Sequence, residues 1–266
     1  KLKSILDDKI NNNNYYLKGG INMSNWNGFK ELVLIDKKDV CDTIKSFYLK
    51  SKNGEKLPKY IPGQFLPFKI KTNDSEMKDV IRTYSLSDLP NDEVYRISVK
   101  KIDGGLMSSY LHDKLQVGDC IEAMPPCGVF VLDESLPKDT PIVLLSGGIG
   151  ITPLLSMLLA NAKNRNIYFV QAVQNSKMHP FGNDINNVCK ENNLKNTVFY
   201  SNPLDTDQLG KDYDVQGFVT KEWIKDNLPL NSAFYFCGPP IFMESLEKNL
   251  LELGVPQDKI NYEKFS

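Results

Sequence analysis

Residues 141–157, PIVLLSGGIGITPLLSM, set three glycines between an apolar run and an apolar stretch of helical character. Residues 142–145 read as a strand that stops at Ser146, and Gly147, Gly148, Gly150, Thr152 and Pro153 follow. Strand, glycine turn and helix in that order present backbone N–H groups to a phosphate. The spacing departs from G-x-G-x-x-G, because Pro153 stands where the last glycine would be. A proline in the first turn of a helix removes an N–H that has no intrahelical partner anyway. Upstream, Arg82-Thr83-Tyr84-Ser85 offers a positive fork for a pyrophosphate and a flat ring with a hydroxyl. On a strand, Arg82 and Tyr84 share one face and Ser85 points to the other. Gly104 and Gly105 lead into a helix through Leu106, Met107, Ser108 and Ser109. The start of that helix suits an anion, or it is simply capped by Ser108 or Ser109. Downstream, Cys237-Gly238-Pro239-Pro240 ends an apolar segment and so sits at a sheet's carboxyl edge, where open α/β sheets take ligands. A buried structural cysteine before a turn is the alternative there. The terminal Tyr262-Glu263-Lys264-Phe265 is either a tail or a segment that folds back over a ring.

Two kinds of element must position these groups. Residues 29–36, 43–50, 65–70, 82–87, 95–99 and 120–124 read as short strands, many alternating apolar with polar. Turn signals separate them at Asn53-Gly54, Pro62-Gly63, Asn73-Asp74 and Pro90-Asn91, and one helix intervenes at 107–115. This pattern predicts a small antiparallel β-barrel. From Pro141 the pattern changes to strands at 142–145, 167–172, 197–201 and 233–237, alternating with helices at 153–161, 181–191, 221–227 and 241–253. Apolar strands alternating with helices predict a parallel sheet in an α/β domain. The division expected is an N-terminal helix and linker over 1–24, the barrel over 25–135 and the α/β domain over 136–266. Within the first part, residues 1–10 read as a helix with Leu2, Ile5 and Leu6 on one side, and 11–20 as a polar linker.

Composition narrows the function classes. The 266 residues are 41% hydrophobic and 24% charged, enough for two domains with real cores. A formal net charge of -1 gives no basic field for nucleic acid. No apolar run is long enough to span a bilayer, and the charged opening KLKSILDDKI is no secretory signal. The sequence starts at Lys1, which suggests a portion of a longer or processed protein. Five widely spaced cysteines build neither a local zinc site nor an iron–sulfur motif. No metal site is expected, and free thiols suit a reducing, cytoplasmic location. His112 is expected to cap a helix or face solvent, and His179 to sit in a loop.

In their order and spacing, R-x-Y-S, G-G-x-x-S, G-G-x-G-x-T-P, C-G-P and a terminal Y-E-x-F resemble the ferredoxin–NADP+ reductase superfamily, from about Trp26 to Ser266. Trp26-Asn27-Gly28-Phe29, Tyr60 to Phe65, Ser109 to His112 and Val117-Gly118-Asp119 make the chain most similar to the reductase portion of flavohaemoglobins. The resemblance implies a barrel that holds FAD and an α/β domain that takes NADH or NADPH as a co-substrate. It implies that Arg82 meets the FAD pyrophosphate, that Tyr84 and Ser85 meet the flavin ring, and that Gly105, Met107 and Ser108 meet the phosphates. Gln64 lies near the flavin in this reading, and Phe265 and Glu263 approach it. Gly147, Gly148, Gly150, Thr152, Pro153, Cys237, Gly238 and Pro239 fall to the nicotinamide nucleotide. Tyr84, Ser85, Cys237 and Glu263 are the expected catalytic set, acting by position and electrostatics. Lys264 departs from that group, which commonly carries cysteine there. The segment 172–177, AVQNSK, where the adenosine ribose is expected, has no arginine, and this favours NADH. The function implied is an NAD(P)H-dependent flavoprotein reductase that passes a hydride to FAD and then single electrons to an acceptor, such as a haem-globin domain outside this chain. The alternatives are a stand-alone reductase for a separate protein or free flavin, and a nucleotide-binding regulatory module without electron transfer.

Overall fold

The computed structural model describes residues 26–72 and 76–265; the helix and linker expected over 1–20 lie outside them. The first unit contains β1 (Lys30–Cys41), β2 (Ile44–Ser51), β3 (Phe65–Ile70), β4 (Arg82–Ser85), β5 (Val94–Lys100) and β6 (Cys120–Ala123). They pair antiparallel in the order β4-β3-β6-β1-β2-β5. A bridge from Leu86, just past β4, to Ile97 on β5 closes the sheet into a barrel. Tyr95, Ile97 and Val99 alternate along β5 into the barrel core, where Phe47, Leu49, Leu66 and Phe68 meet them. Helix α1 (Leu106–Asp113) plugs one end with Met107 and Leu111.

His112 departs from expectation. Helical spacing puts it on the same side of α1 as Ser108 and Leu111, which face the barrel. It is buried, its Nε2–H donates to Val99 O at 2.8 Å, and its ring meets Phe47 edge-on at 5.9 Å. The imidazole satisfies a barrel carbonyl; it neither caps the helix nor faces solvent.

The second unit contains β7 (Ile142–Gly147), β8 (Ile167–Val173), β9 (Lys195–Tyr200), β10 (Val215–Gln216), β11 (Ala233–Cys237) and β12 (Ile260–Glu263), with α2 (Ile151–Asn161), α3 (Gly182–Glu191), α4 (Lys221–Asn227) and α5 (Pro240–Glu252). The strands are parallel in the order β10-β9-β8-β7-β11-β12. Every residue of β7 and β11 is buried, as expected for strands covered on both faces. On one face α2 and α3 contribute Leu154, Leu158, Ile185 and Cys189; on the other α4 and α5 contribute Ile224, Met243, Leu246 and Leu250. The chain steps outward in one direction from β7 to β10, then returns to lay β11 on the opposite side of β7. This reversal puts the switch point, and its crevice, at the carboxyl ends of β7 and β11.

The two units interlock through a few groups. The Asp88 carbonyl accepts from Tyr60 Oη at 2.6 Å and from Ser156 Oγ of α2 at 2.8 Å. Gly63 has a φ of +102°, and a Cβ there would lie 2.6 Å from Met157 Cε. Arg96 stacks over the Phe181 ring at 5.1 Å. Among the described residues no helix is long and apolar enough to cross a membrane, and no cluster of His, Cys, Asp or Glu is placed to hold a metal.

His179, between β8 and α3, is more than a loop residue. Its Nε2–H donates to Gln171 Oε1 at 2.9 Å, and its Nδ1 accepts from Tyr200 Oη at 3.0 Å. Gln171 Nε2 donates on to Asn196 Oδ1 at 2.9 Å, and Asn196 Nδ2 to Asn186 Oδ1 on α3 at 2.5 Å. Burial pushes the His179 pKa down to about 4. The folded chain therefore resists a proton that the unfolded chain takes up near pH 6.5, so this contribution is complete above that pH and lost as the pH falls towards 4. The shift corresponds to about 3 kcal/mol. In urea titrations, the stability gap between wild type and His179→Gln is expected to narrow by about 3 kcal/mol from about pH 7 to about pH 4. A gap independent of pH would show that His179 is not held neutral.

Candidate functional site at the switch point

β7 ends in Gly147, residues Gly148–Gly150 make a single 3₁₀ turn, and α2 starts at Ile151. Neither the turn nor α2 has a side-chain cap. The first-turn N–H groups thus remain available to an anion. Gly148 takes a φ of +52°, and the space where its Cβ would stand is open. The other two glycines are needed for the opposite reason. A Cβ at Gly150 would lie 2.1 Å from Cys237 O, and one at Gly147 would lie 2.8 Å from Pro239 Cδ. A Cβ at Gly238 would lie 2.9 Å from Gly147 Cα. The turn after β7 and the turn after β11 therefore touch backbone to backbone. Thr152 and Pro153 are buried in the first turn of α2, with the Thr152 hydroxyl donating to Ile149 O at 3.1 Å.

Cys237 is the last residue of β11, in register with Ser146 on β7 and Glu263 on β12. It is wholly buried. Burial, reinforced by the Glu263 charge, pushes its thiol pKa far up, so it is a neutral thiol and no nucleophile. The terminal segment is thus no loose tail. Its Ile260–Glu263 portion is the sixth strand of the sheet and brings the Glu263 carboxyl beside Cys237. Phe265, two residues beyond, is 42% exposed.

On the barrel, β4 carries Arg82 exposed, Tyr84 half-buried and Ser85 buried. Tyr84 stacks on Phe68 at 5.4 Å, and burial raises its pKa to about 12, so its hydroxyl stays protonated. Arg82 donates to Ile81 O at 2.9 Å and projects the rest of its guanidinium outward. Gln64 sits at the start of β3, its Oε1 accepting from Ile61 N at 2.9 Å. At α1, Gly105 provides no side-chain cap, and Ser108 Oγ is turned to Ile102 N and Gly105 O. Capping by Ser108 is therefore not what the structure shows, and this helix start too is left to an anion. A Cβ at Gly105 would lie 2.5 Å from Ser108 Oγ, which explains the glycine.

β4 runs on into Leu86 and Ser87, which pair with β5, and β5 lies against the Gly148–Gly150 turn. The barrel group and the switch-point group thus share one seam. Two uncapped helix starts, one outward arginine and a half-buried tyrosine fit a resident FAD and a nicotinamide nucleotide. A separate polar cleft of about 520 Å³, lined by Ser46, Tyr48, Arg96, His179 and Lys211, does not include these residues. Sequence patterning missed β10, too short at two residues to leave a period, and β12, hidden in a polar, aromatic terminus. It also missed the hydroxyl ladder in which Ser98 Oγ meets Ser46 Oγ and Ser87 Oγ, each at 2.8 Å, because serines carry no periodic signal.

An oxidoreductase FAD-binding domain family matches residues 31–132, and an oxidoreductase NAD-binding domain family matches residues 144–248. The flavohemoprotein of Bacillus cereus is 40% identical over 250 residues, covering 90% of this chain and 61% of that protein. Flavohemoprotein A of Dictyostelium discoideum is 38% identical over 253 residues, with the same coverage, 90% and 61%. The chain therefore spans about 61% of the length of these curated relatives. Among solved structures, the FAD/NAD-binding domain of a nitric oxide dioxygenase from Vibrio cholerae superposes with a TM-score of 0.80 at 29% identity, covering 90% of this chain and 99% of that one. A Malassezia yamatoensis flavohemoglobin shares the fold, with a TM-score of 0.75 at 21% identity, covering 90% of this chain and 61% of that one. An antiparallel barrel joined at a glycine-tight seam to a parallel sheet, matched domain by domain, assigns the chain to the ferredoxin–NADP+ reductase-like oxidoreductases, as an FAD-binding domain followed by an NAD-binding domain.

Proposed function

We propose that this chain is the reductase portion of a flavohaemoglobin-type enzyme, drawing electrons from NADH and delivering them to a haem-globin domain outside this chain. The observation that carries this is the meeting of the Gly148–Gly150 turn, the Cys237–Gly238 turn and β12 at the seam with β5. When bound, FAD accepts a hydride from the nicotinamide and releases electrons one at a time. The protein's work is to bind, orient and exclude water. Arg82 neutralises the cofactor's pyrophosphate together with the N–H groups at the start of α1. Tyr84 packs against the ring, and the protonated phenol offers it a hydrogen bond. Ser85 lies at the end of the same strand, buried beneath. Gln64 and Phe265 complete the border of the site. The Gly147–Gly150 turn and the first turn of α2, with Thr152 and Pro153, receive the co-substrate's phosphates. Cys237, Gly238 and Pro239 form the floor on which the nicotinamide ring is placed. Glu263 brings its carboxyl beside that floor, in register with Cys237, and sets the local potential. The whole protein would act as a nitric-oxide dioxygenase, as does the Vibrio cholerae protein whose FAD/NAD-binding domain it resembles. NADH is the preferred donor. The proposed domain division remains 25–135 and 136–266.

The purified protein with added FAD is expected to show oxidised-flavin absorbance that bleaches anaerobically on addition of NADH. A colourless protein that retains no FAD would sink the reading in favour of a regulatory module. Gly150→Ala is expected to push the Cys237 turn away, slowing flavin reduction by about 100-fold with FAD content unchanged. Stopped-flow traces equal to wild type would show that the close approach is dispensable. Arg82→Ala is expected to weaken FAD binding by about tenfold or more, corresponding to the loss of a charged hydrogen bond; an unaltered FAD titration would remove Arg82 from the site.

A further inference from the structure

One guanidinium of the barrel serves both domains. Arg96 stands on β5 with its side chain 11% exposed. Its Nε–H donates to Ser87 Oγ at 3.2 Å, an Nη2–H donates to Ser87 O, and Nη2 lies 3.6 Å from Asp88 Oδ1. The main chain repeats the tie, because Ser87 N donates to Arg96 O at 2.9 Å. Ser87 and Asp88 follow Ser85 by way of Leu86, whose N–H donates to Gln64 O at 2.9 Å. The guanidinium thus fixes the stretch that runs on from Tyr84 and Ser85 and lies against Gln64. Asp88 O in turn receives the Ser156 hydroxyl of α2, the helix that begins at the glycine turn.

The flat face of the same group meets the second domain. Arg96 Cζ lies 5.1 Å from the centre of the Phe181 ring. A cation over a ring gains most where water is excluded, and Phe181 is buried. Phe181 holds a φ of +58° as the residue before α3. Left-handed backbone in a bulky residue persists only where the surroundings over-determine it. His179 packs against Gly182 from within the same domain, and Arg96 holds the Phe181 ring from the other. A lysine cannot do both tasks, since a point charge does not bind Ser87 as a fork while lying flat on a ring.

We propose that Arg96 is a positioning residue for hydride transfer: with its donors on Ser87 and its face on Phe181, it clamps the barrel to the α/β domain at the separation that the transfer needs. This rests on the reading of the chain as an FAD-linked reductase, and names a residue that holds the two domains rather than either nucleotide. A joint at one point, such as the Asp88 carbonyl, leaves two bodies free to rock about it, and the Phe181 contact adds a further point. Reactions of bound groups tolerate little misplacement, and a shift of about 1 Å costs about 100-fold in rate.

The test combines stopped-flow reduction of the FAD-loaded protein by NADH with amide hydrogen exchange on the full chain, in wild type, Arg96→Lys, Phe181→Leu and the double variant. Arg96→Lys is expected to lower the limiting reduction rate by about tenfold and Phe181→Leu by about fivefold, with FAD content unchanged and half-saturating NADH within about twofold of wild type. The double variant is expected to be no more than about twofold slower than Arg96→Lys, because both substitutions break one contact. Losses that multiply would overturn the proposal. So would a raised half-saturating NADH concentration at an unchanged limiting rate, which would make Arg96 a nucleotide-binding residue. Hydrogen exchange needs no turnover. Phe181→Leu is expected to speed exchange of the Leu86 and Ser87 N–H groups in the barrel, and Arg96→Lys that of the Ile185 N–H, which donates to Phe181 O, each by about fivefold. Exchange altered only in the domain that carries the substitution would reveal local packing and overturn the proposal. Wild-type flavin left oxidised by NADH would sink the reductase reading, whereas the exchange result bears on the clamp alone.

Discussion

The structure depends on a contact between two pieces of main chain. Where β7 turns into α2 and β11 turns into α5, the backbones approach so closely that Gly147, Gly150 and Gly238 have no room for a methyl group. Close approach of main chain to main chain is one of the few tasks that only glycine performs. It draws Cys237 beneath the phosphate turn, and β12 follows by pairing with β11. The carboxyl ends of three neighbouring strands, β7, β11 and β12, thus meet at one point. The sheet reversal makes the crevice, and the glycines decide how narrow it is. Overpacking there would be relieved only by moving a strand end.

How much of this the sequence disclosed follows from the physics of each element. The barrel and the α/β domain were legible because their periods differ: Tyr95, Ile97 and Val99 alternate, whereas β7 is buried throughout. Arg82, Tyr84, Gly148 and Cys237 stood out in sequence as candidates by residue type and spacing, and the structure places Arg82 and Tyr84 on β4, Gly148 just past β7 and Cys237 at the end of β11. His112 was misjudged because one histidine carries no period of its own; its burial is decided by neighbours Ser108 and Leu111 on the same helical face. β12 was obscured because Asn261 and Glu263 are polar, and its strand character comes from pairing with β11 rather than from propensity. The contacts between loops at the β8–β9 edge had no local signal at all. Asp207 and Ser176 are 31 positions apart, and only the fold brings them together.

Polar groups do much of the positioning that apolar packing leaves undetermined. The directed run of donors from Tyr200 through His179, Gln171 and Asn196 to Asn186 links β9, β8 and α3 with each donor matched to an acceptor. Such a network specifies one arrangement because any slip leaves a buried group unsatisfied. Gly182 lies directly against the His179 ring, where a Cβ would stand 2.7 Å from Cε1, so the start of α3 is registered to the imidazole itself.

The Asp88 carbonyl has a mechanical consequence. Its two lone pairs are taken by a hydroxyl from each domain, Tyr60 from the barrel and Ser156 from α2. Both donors are uncharged, and burial raises the Tyr60 pKa so far that its phenol keeps its proton across the working range. This joint between the domains is therefore indifferent to ionic strength and to pH. A spacer made of two short neutral hydrogen bonds works like a ruler, keeping the gap between the barrel and the parallel sheet constant while the charge state of the surroundings changes.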